Sequence, residues 1–448
     1  MLQDARERTL ALVGDLSEEQ LMGPKLKIVN PPRWEMGHAA WFQEKWTLRH
    51  LRGLPPARED MDALYDSAAI PHDARWDLPL PSRAETLALM QRILETAIER
   101  LGTPSPSDDE VYFHTLSALH EDMHDEALMY TRQALGYAAP SFARKSVEDA
   151  GAGPLPGDVE VRGGTFLVGT LPDETRFVWD NEKWAHPVEI RPFRIARAPV
   201  TQAEFAAFVD DGGYAEQRWW SEAGWKWRQQ ANAEHPVYWR REAPGRWLRR
   251  LWDQWLPLEP HKPVIHVSWH EAQAYCRWAR RRLPLEAEWE MAAAAEPGET
   301  VLDTRALNQL AAKSQLGLLD LRGRALTSPW AKRRYPWGEE PPTPDRANLN
   351  AAAGNTLDVG ALPASDSFFG CRQMIGNVWE WCQDAFWGYP GFVRDPYKEY
   401  SEPWFGDHHV LRGGAWTTRG RLVHNAWRNF YTPERQDITC GFRTCACD

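Results

Sequence analysis

Apolar residues in the first third of the chain recur every three or four positions, as they do in amphipathic helices. The stretches DARERTLALVGDL and SRAETLALMQRILETAIERLG follow this period, and the second is capped by Ser82 and ends at Gly102. A longer helix, DDEVYFHTLSALHEDMHDEALMYTRQALG, ends at Gly136. Together with PPRWEMGHAAWFQEKWTLRH, these stretches predict four helices, the number found in a simple bundle.

The pattern changes after residue 137. The stretch YAAPSFARKSVEDAGAGPLPGD is rich in Pro, Gly and Ala and is typical of a linker. Beyond it, short apolar runs such as VEVRGGTFLVG, HPVEIRPFRIA and KPVIHVSW alternate with the helical stretches TQAEFAAFVDDGG and SWHEAQAYCRWARRRL. The sequence therefore predicts an α+β multidomain protein, with a helical domain at 1–137, a linker at 138–157 and a second domain at 158–448.

Composition and charge narrow the class of protein. A chain of 448 residues is too long for one ordinary core, so two or three domains are expected. The net charge of -11 and the lack of a basic run argue against nucleic-acid binding. The stretch MLQDARERTLALVGDLSEEQ has no apolar signal core, and no later stretch reaches membrane-spanning length. We therefore expect no membrane partner and a cytoplasmic location.

Cysteine and tryptophan usage add two expectations. The six cysteines form no CxxC pair, so no disulfide framework is predicted, and Cys445 and Cys447 are expected to be unpaired thiols rather than a metal site. The chain has 25 tryptophans, and we expect some of those between Trp219 and Trp255 to line a groove or an interface.

Two histidines, His120 and His124, stand four residues apart in the longest predicted helix. They lie about 40° apart around a helix, one turn from each other, so both rings can reach one ion. A third ligand must come from another helix, and His38 in WEMGHAAWFQE is the best candidate, because bundles build metal sites from facing helices. The alternative is a pair of exposed polar histidines. Three further histidines lack such a geometry and are expected at the surface: His50, His72 and His114.

Imidazole ligands alone do not select the metal. A set of three neutral histidines suits zinc, iron, copper and nickel alike, and it leaves positions open on a divalent ion. The residues therefore predict a metal site without identifying its ion.

Ordered motifs run along nearly the whole chain. NPPRWEMGHAAWFQEKW is followed about eighty residues later by HEDMHDEA, and then come GGTFLVGT, RPFRIARAPVTQAEFAAFV, YPWGEE, GNVWEWCQD, VLRGGAW and CGFRT. In this order they resemble the ergothioneine-type sulfoxide synthases (EgtB and OvoA). The resemblance implies an N-terminal DinB-like four-helix bundle followed by a C-type-lectin-like, formylglycine-generating-enzyme-like domain.

The same resemblance implies chemistry and residue roles. The family uses mononuclear non-haem Fe(II) and O₂ to join sulfur to C2 of the imidazole of hercynine, the trimethylated betaine of histidine. Under this resemblance, the iron ligands are His38, His120 and His124. In the segment DPYKEYSEPWFG it assigns Tyr397 as the proton or electron relay, with Tyr400 beside it.

The predicted hercynine site departs from the family pattern. The family's Asn-Trp-Asp run is Asn429-Phe430-Tyr431 here, so Asn429 is kept but the acid that meets the ammonium of a cysteine-type donor is Tyr431. Met123 stands where a Gln often contacts the imidazole ring, and it cannot donate two strong hydrogen bonds. The quaternary ammonium needs aromatic faces, and three residues are predicted to supply them: Trp379, Trp416 and Phe430.

These departures bear on the donor of the chalcogen atom. An amino-acid thiol needs a carboxylate for its ammonium and an arginine for its carboxylate, and only Arg83 remains for the second task. A neutral sugar donor needs neither of these partners. The motifs around His38 and around His120 and His124 are also similar to those of the SenA branch, the selenoneine synthases. The resemblance therefore favours a carbon–selenium bond formed on hercynine with a selenosugar donor.

Two alternatives remain, and a third is set aside because its reactive groups are missing. Within the class, the donor is cysteine or γ-glutamylcysteine and the new bond is carbon–sulfur. Formylglycine generation needs two thiols soon after the RGG turn, and RGGAWTTRGRLVHNAWRNFYTPERQ has no cysteine. From a different class, the chain is a non-catalytic lectin-like binding protein with a vestigial bundle.

Overall fold

The computed structural model describes residues 1–101, 105–143, 151–172, 176–302 and 326–447. Contacts between residues divide the chain into two units, Met1–Arg144 with Trp252–Gln254, and Lys145–Leu251 with Trp255–Asp448. Helices build the first unit and both helices and strands build the second, so the predicted α+β multidomain class is confirmed. Gly102 and part of the predicted linker, residues 144–150, lie outside the described residues.

The first unit is a helical bundle. Its helices are α1 (Leu2–Val13), α2 (Glu18–Met22), α3 (Pro32–Gln43), α4 (Met61–Tyr65), α5 (Arg83–Leu101) and α6 (Asp108–Leu135), and α3 continues into a π-helix over Glu44–His50. Helix α1 packs on α6, and α3 packs on both α5 and α6. The four predicted bundle helices are confirmed as α1, α3, α5 and α6.

Local sequence signals set the ends of these helices. Ser107 and Glu110 form a capping box that begins α6, and Gly136, with φ of 67°, ends it in the left-handed conformation. Pro32 occupies the first turn of α3, where a missing N–H costs nothing. These signals place His38 in the middle of α3 and both His120 and His124 near the middle of α6.

The second unit combines short strands with four helices among its described residues. The helices are α7 (Gln202–Asp210), α8 (Glu222–Ala231), α9 (Trp269–Trp278) and α10 (Glu286–Ala294). The strands are β1 (Asp158–Val161), β2 (Gly164–Val168), β3 (His186–Ile190), β4 (Phe193–Ala196), β5 (Trp239–Ala243), β6 (Arg246–Leu251), β7 (Gln254–Pro257), β8 (Arg281–Arg282), β9 (Ala295–Leu302), β10 (Leu326–Lys332), β11 (Trp379–Ala385), β12 (His409–Arg412), β13 (Arg428–Tyr431), β14 (Cys440–Gly441) and β15 (Cys445–Ala446).

Two four-stranded sheets dominate this unit. One has the order β1-β4-β15-β8 and the other the order β13-β12-β11-β14, in which β11 and β14 run parallel. The remaining sheets are β5-β6-β7, β2-β3 and β9-β10. The core lies around α10, where Trp289 and Met291 are fully buried against Phe166 and Val410.

The prediction of short strands is right in two places and wrong in one. VEVRGGTFLVG contains β1 and β2, and HPVEIRPFRIA contains β3 and β4. KPVIHVSW forms no strand, although Val264 and Val267 are buried. Their N–H groups bond to the carbonyls of Val200 and Cys440, and His266 has φ of 63°, so the run is an irregular buried segment. Apolar content alone does not distinguish such a segment from a strand.

Among the described residues, no helix combines the length and the apolar content needed to cross a bilayer.

Candidate metal centre

The structure brings His38, His120 and His124 together inside the bundle. One ring nitrogen from each lies within 4.8 Å of the others. The ring centroids are 5.2 Å apart for His38 and His120, 4.7 Å for His38 and His124, and 4.4 Å for His120 and His124. His38 and His120 are buried and His124 is partly exposed. Helices α3 and α6 thus meet with three imidazoles pointing at one volume.

Two of the rings are oriented through their Nδ1 atoms. His38 donates Nδ1–H to the carbonyl oxygen of Tyr65 at 2.8 Å, and His124 donates Nδ1–H to Oε2 of Glu35 at 2.5 Å. Metal-ligating histidines commonly bond a carbonyl or a carboxylate in this way, which fixes the tautomer and leaves Nε2 for the ion. The hydrogen bonds to Tyr65 and Glu35 therefore orient the Nε2 atoms of His38 and His124 as metal ligands.

The pKa values of the buried groups at the site favour the binding of a cation. Burial, together with the neighbouring His124, lowers the pKa of His38 to about 3, and burial likewise lowers the pKa of His120. Burial opposes ionisation of Glu35, yet its contact with His124 lowers the pKa of Glu35 to about 2. The lowered pKa values keep the rings of His38 and His120 neutral, which is the protonation state that a metal-ligating histidine needs.

Close packing holds the His38 ring in place. A Cβ atom at Gly37 would lie 2.1 Å from Cε1 of Tyr65, so only glycine lets α3 come this close to the end of α4. That approach brings the Tyr65 carbonyl to Nδ1 of His38. Trp34 stacks on His38 at 4.7 Å between ring centroids, and Phe42 stacks on His120 at 3.5 Å.

These residues fit a divalent ion. Three neutral nitrogen donors bind it without cancelling its charge and leave coordination positions for other ligands. No acidic residue belongs to the cluster that the described residues form, and Glu35 acts through His124. Glu35 was not among the predicted site residues, although it stands three residues before His38 and therefore on the same face of α3.

The prediction for the other bundle histidines is partly wrong. His114 is not at the surface: it is 5% exposed and donates Nδ1–H to the Glu110 carbonyl at 2.7 Å, one turn earlier in α6. His50 is exposed and His72 is partly exposed.

Two further predicted residues lie in the bundle. Met123 directly precedes His124 on α6 and is partly buried. Arg83, the first residue of α5, donates to the carbonyls of Leu16 and Gly14, each at 2.8 Å. These bonds satisfy carbonyls just beyond the end of α1, which gives Arg83 a structural task in the bundle.

The remaining predicted residues lie in the second unit. Asn429, Phe430 and Tyr431 are on β13, and Oδ1 of Asn429 accepts the N–H of Phe430 at 2.8 Å. Tyr397 and Tyr400 lie on the segment before the turn at Glu402–Trp404, with ring centroids 5.8 Å apart.

Aromatic rings connect this tyrosine segment to β13. Tyr400 lies 5.9 Å from Phe430, which stacks on Phe386 at 3.9 Å. Trp416 and Trp379 are buried, so of the three predicted aromatic faces only Phe430 is partly exposed in this unit.

Comparison with known proteins covers both units. Residues 143–447 match the family described as the sulfatase-modifying factor enzyme 1-like domain, and residues 1–126 match the DinB superfamily. A protein of Mycolicibacterium thermoresistibile called hercynine oxygenase is 35% identical over 462 residues, which cover 99% of this chain and 93% of that protein.

Two further relatives match either nearly all of the chain or a large part of it. A hercynine oxygenase of Mycobacterium tuberculosis is 36% identical over 451 residues, covering 99% of this chain and 96% of that protein. A formylglycine-generating enzyme of Streptomyces coelicolor is 32% identical over 347 residues, covering 70% of this chain and 97% of that protein.

Proposed function

We propose, from the premise that this chain belongs to the hercynine oxygenase family, that it is an iron-dependent enzyme that uses O₂ to join a chalcogen atom to C2 of hercynine. The similarity to hercynine oxygenases spans 99% of the chain and supports hercynine as the substrate. The observation that carries the proposal is the cluster of three imidazoles in the bundle, with Nδ1 of His38 bonded to the Tyr65 carbonyl and Nδ1 of His124 to the Glu35 carboxylate.

His38, His120 and His124 would hold the metal. Fe(II), when bound there, supplies the one-electron chemistry with O₂ that zinc cannot supply. The residues of the chain bind and orient that ion: Tyr65 and Glu35 fix two of the rings, and Trp34 and Phe42 exclude water from two of their faces.

The overall reaction balances with one molecule of O₂. The C2–H bond of hercynine and the chalcogen–H bond of the donor break, and a bond between C2 and the chalcogen forms. One oxygen atom stays on the chalcogen as the oxide, and the other leaves as water with the two released protons. O₂ accepts all four electrons, so no further reductant is needed.

Residues of the second unit are proposed to bind hercynine and move a proton. Asn429 keeps its Nδ2 donors for the imidazole or carboxylate of hercynine, since its Oδ1 is held by Phe430 N–H. Phe430 offers a partly exposed aromatic face to the quaternary ammonium. The hydroxyl of Tyr397 holds the proton whose delivery favours coupling over simple oxidation of the donor.

A selenosugar is proposed as the donor, with cysteine or γ-glutamylcysteine as the alternative. Tyr431 replaces the acid that would meet an ammonium, and the guanidinium of Arg435 lies 4.7 Å above its ring. An amino-acid donor would therefore meet a cation at this position. A buried ammonium without a counter-charge costs several kcal/mol, which disfavours such donors. Arg83 is engaged with main-chain carbonyls, so the donor's carboxylate has lost that partner too.

Competition between donors tests this proposal. The iron-loaded enzyme receives hercynine, O₂ and an equimolar mixture of selenoglucose, thioglucose, cysteine and γ-glutamylcysteine, and the products are quantified by mass spectrometry. We expect the selenoglucose product to exceed the thioglucose product, and both to exceed the amino-acid products at least about tenfold, the factor for each 1.4 kcal/mol. The variant Tyr431→Asp should raise the share of the cysteine product.

The other outcomes separate the alternatives. Efficient turnover of cysteine at micromolar concentration, with no response to selenoglucose, assigns the protein to carbon–sulfur bond formation. A protein that consumes no hercynine with any donor is a non-catalytic binding protein instead.

A further inference from the structure

One short buried turn holds both ends of the segment that carries Tyr397. The turn, Asp180–Glu182, is a single 3-10 turn whose residues are between 0% and 2% exposed. The segment runs from Asp395 to Ser401, more than two hundred residues later in the chain. Both belong to the second unit.

The side chain of Asp180 contacts the two ends of this segment at once. Ser401 donates its hydroxyl to Oδ1 of Asp180 at 2.5 Å, and the N–H of Asp395 points to Oδ2 of Asp180 at 3.4 Å. Asn181 donates Nδ2–H to the hydroxyl oxygen of Ser401 at 3.0 Å. Lys183 adds an ion pair to the Asp395 carboxylate at 2.7 Å. The two carboxylate oxygens of Asp180 thus close the segment into a loop.

The turn is itself tied to the strand that carries the predicted hercynine contacts. Arg428 donates to the Asn181 carbonyl at 2.8 Å and pairs with Glu286 at 2.7 Å, and both charged side chains are buried. Arg428 directly precedes Asn429 on β13. Above the turn, Trp179 stacks on Tyr400 at 4.2 Å. One connected set of contacts therefore relates the tyrosine loop to β13.

We infer that Asp180 is a positioning residue for Tyr397, which fixes the phenol against the bound substrate by holding both ends of its loop. The inference rests on the proposed function, in which the Tyr397 hydroxyl decides between coupling and donor oxidation. A misplacement of about 1 Å costs on the order of a hundredfold in rate when a reacting group is held by such remote contacts.

The variant Asp180→Asn tests the inference with little change in volume. The amide oxygen can still accept the N–H of Asp395, but the amide then turns an NH₂ group toward Ser401. The Ser401 hydroxyl loses its acceptor and already accepts from Asn181 at 3.0 Å, so the hold on that end of the loop weakens. We expect the yield of C2 product per O₂ consumed to fall about tenfold, within the effect that small misplacements produce. The iron content and the KM for hercynine should stay within about twofold of the wild type, because the variant alters placement rather than binding.

A comparison with Tyr397→Phe separates positioning from general destabilisation. Tyr397→Phe should lower the same yield, and adding Asp180→Asn to Tyr397→Phe should change it no further, because Asp180 acts only through the phenol. Ser401→Ala, which removes one hydroxyl, should lower the yield in the same direction as Asp180→Asn. The control is Glu402→Gln, which breaks the exposed ion pair with Arg394 beside the loop and should change nothing.

Hydrogen exchange of the loop provides a readout that needs no turnover. The amides of 395–401 should exchange faster in Asp180→Asn than in the wild type, whereas those of α9 should not change. Unchanged exchange, or an unchanged product yield in an Asp180→Asn protein that folds and binds iron, overturns the inference. So does a further loss of yield in the double variant. A wild-type protein that forms no C2 product refutes the proposed function itself and the inference with it.

Discussion

Replacing any one of His38, His120 or His124 with alanine is expected to remove both the iron and the coupling activity. Each residue supplies one of three ring nitrogens that lie within 4.8 Å of one another, and the described part of the chain offers no other such cluster. Losing a residue that only orients a ligand typically costs 10- to 100-fold in affinity or activity, so losing a ligand should cost more than about a hundredfold. Metal analysis after reconstitution and desalting measures the iron, and mass spectrometry measures the product.

His50→Ala is the matched control for these variants. His50 is an exposed histidine of the same bundle, on the π-helix that follows α3, and its loss should leave iron and product unchanged. Far-UV circular dichroism of each variant shows whether the bundle still folds. Stoichiometric iron in a folded His38→Ala protein would place the third ligand elsewhere and refute the proposed centre.

Arg412→Met is expected to destabilise the second unit strongly. Arg412 is fully buried and donates to Glu286 at 2.7 Å and to Glu290 at 2.6 Å. Removing one partner of a buried ion pair costs about 3–5 kcal/mol. Without Arg412, the buried carboxylates of Glu286 and Glu290 keep only Arg428 and Lys332 as counter-charges. Urea unfolding of the full chain, followed by a signal from the second unit, measures the loss.

The control for Arg412→Met is Arg246→Met. Arg246 and Glu242 form an exposed ion pair, and such pairs contribute no more than about 1 kcal/mol. Equal losses of unfolding free energy in the two variants would show that the buried ion pairs stabilise the second unit no more than an exposed pair does.

The pH dependence of stability follows from the same buried carboxylates. Burial opposes ionisation of Glu290, but Lys332 and Arg412 lower the pKa of Glu290 from 4.5 to about 2. A carboxylate whose pKa is lower in the folded state stabilises that state above its unfolded pKa. The contribution of Glu290 is therefore complete above about pH 4.5 and is lost as the pH falls toward 2.

Local patterns predicted the bundle and its three histidines well. The period of apolar residues and the capping signals at Ser107 and Gly136 are short-range features, and they place His120 and His124 on one face of α6. The position of His38 opposite them followed from the ordinary construction of bundle metal sites.

Contacts between residues far apart in the sequence could not be predicted from local patterns. KPVIHVSW has the composition of a strand, yet Val264 and Val267 bond to main-chain groups of Val200 and Cys440 in no sheet. His114 looks like a surface residue from its polarity, but the packing around α6 buries it. The hydrogen bond from Ser401 to Asp180 joins residues 221 positions apart in the chain, and no local sequence pattern predicts such a pair.

We propose above that this protein uses Fe(II) and O₂ to replace the C2 hydrogen of hercynine with a chalcogen. To test it, the metal-free protein is loaded with Fe(II) without oxygen, mixed with hercynine and a selenosugar, and then exposed to O₂. We predict a product whose mass contains selenium and whose imidazole has lost its C2 proton signal, with no product when Zn(II) replaces Fe(II). Recovery of unchanged hercynine from the iron-loaded protein, with selenium and sulfur donors alike, would contradict the claim.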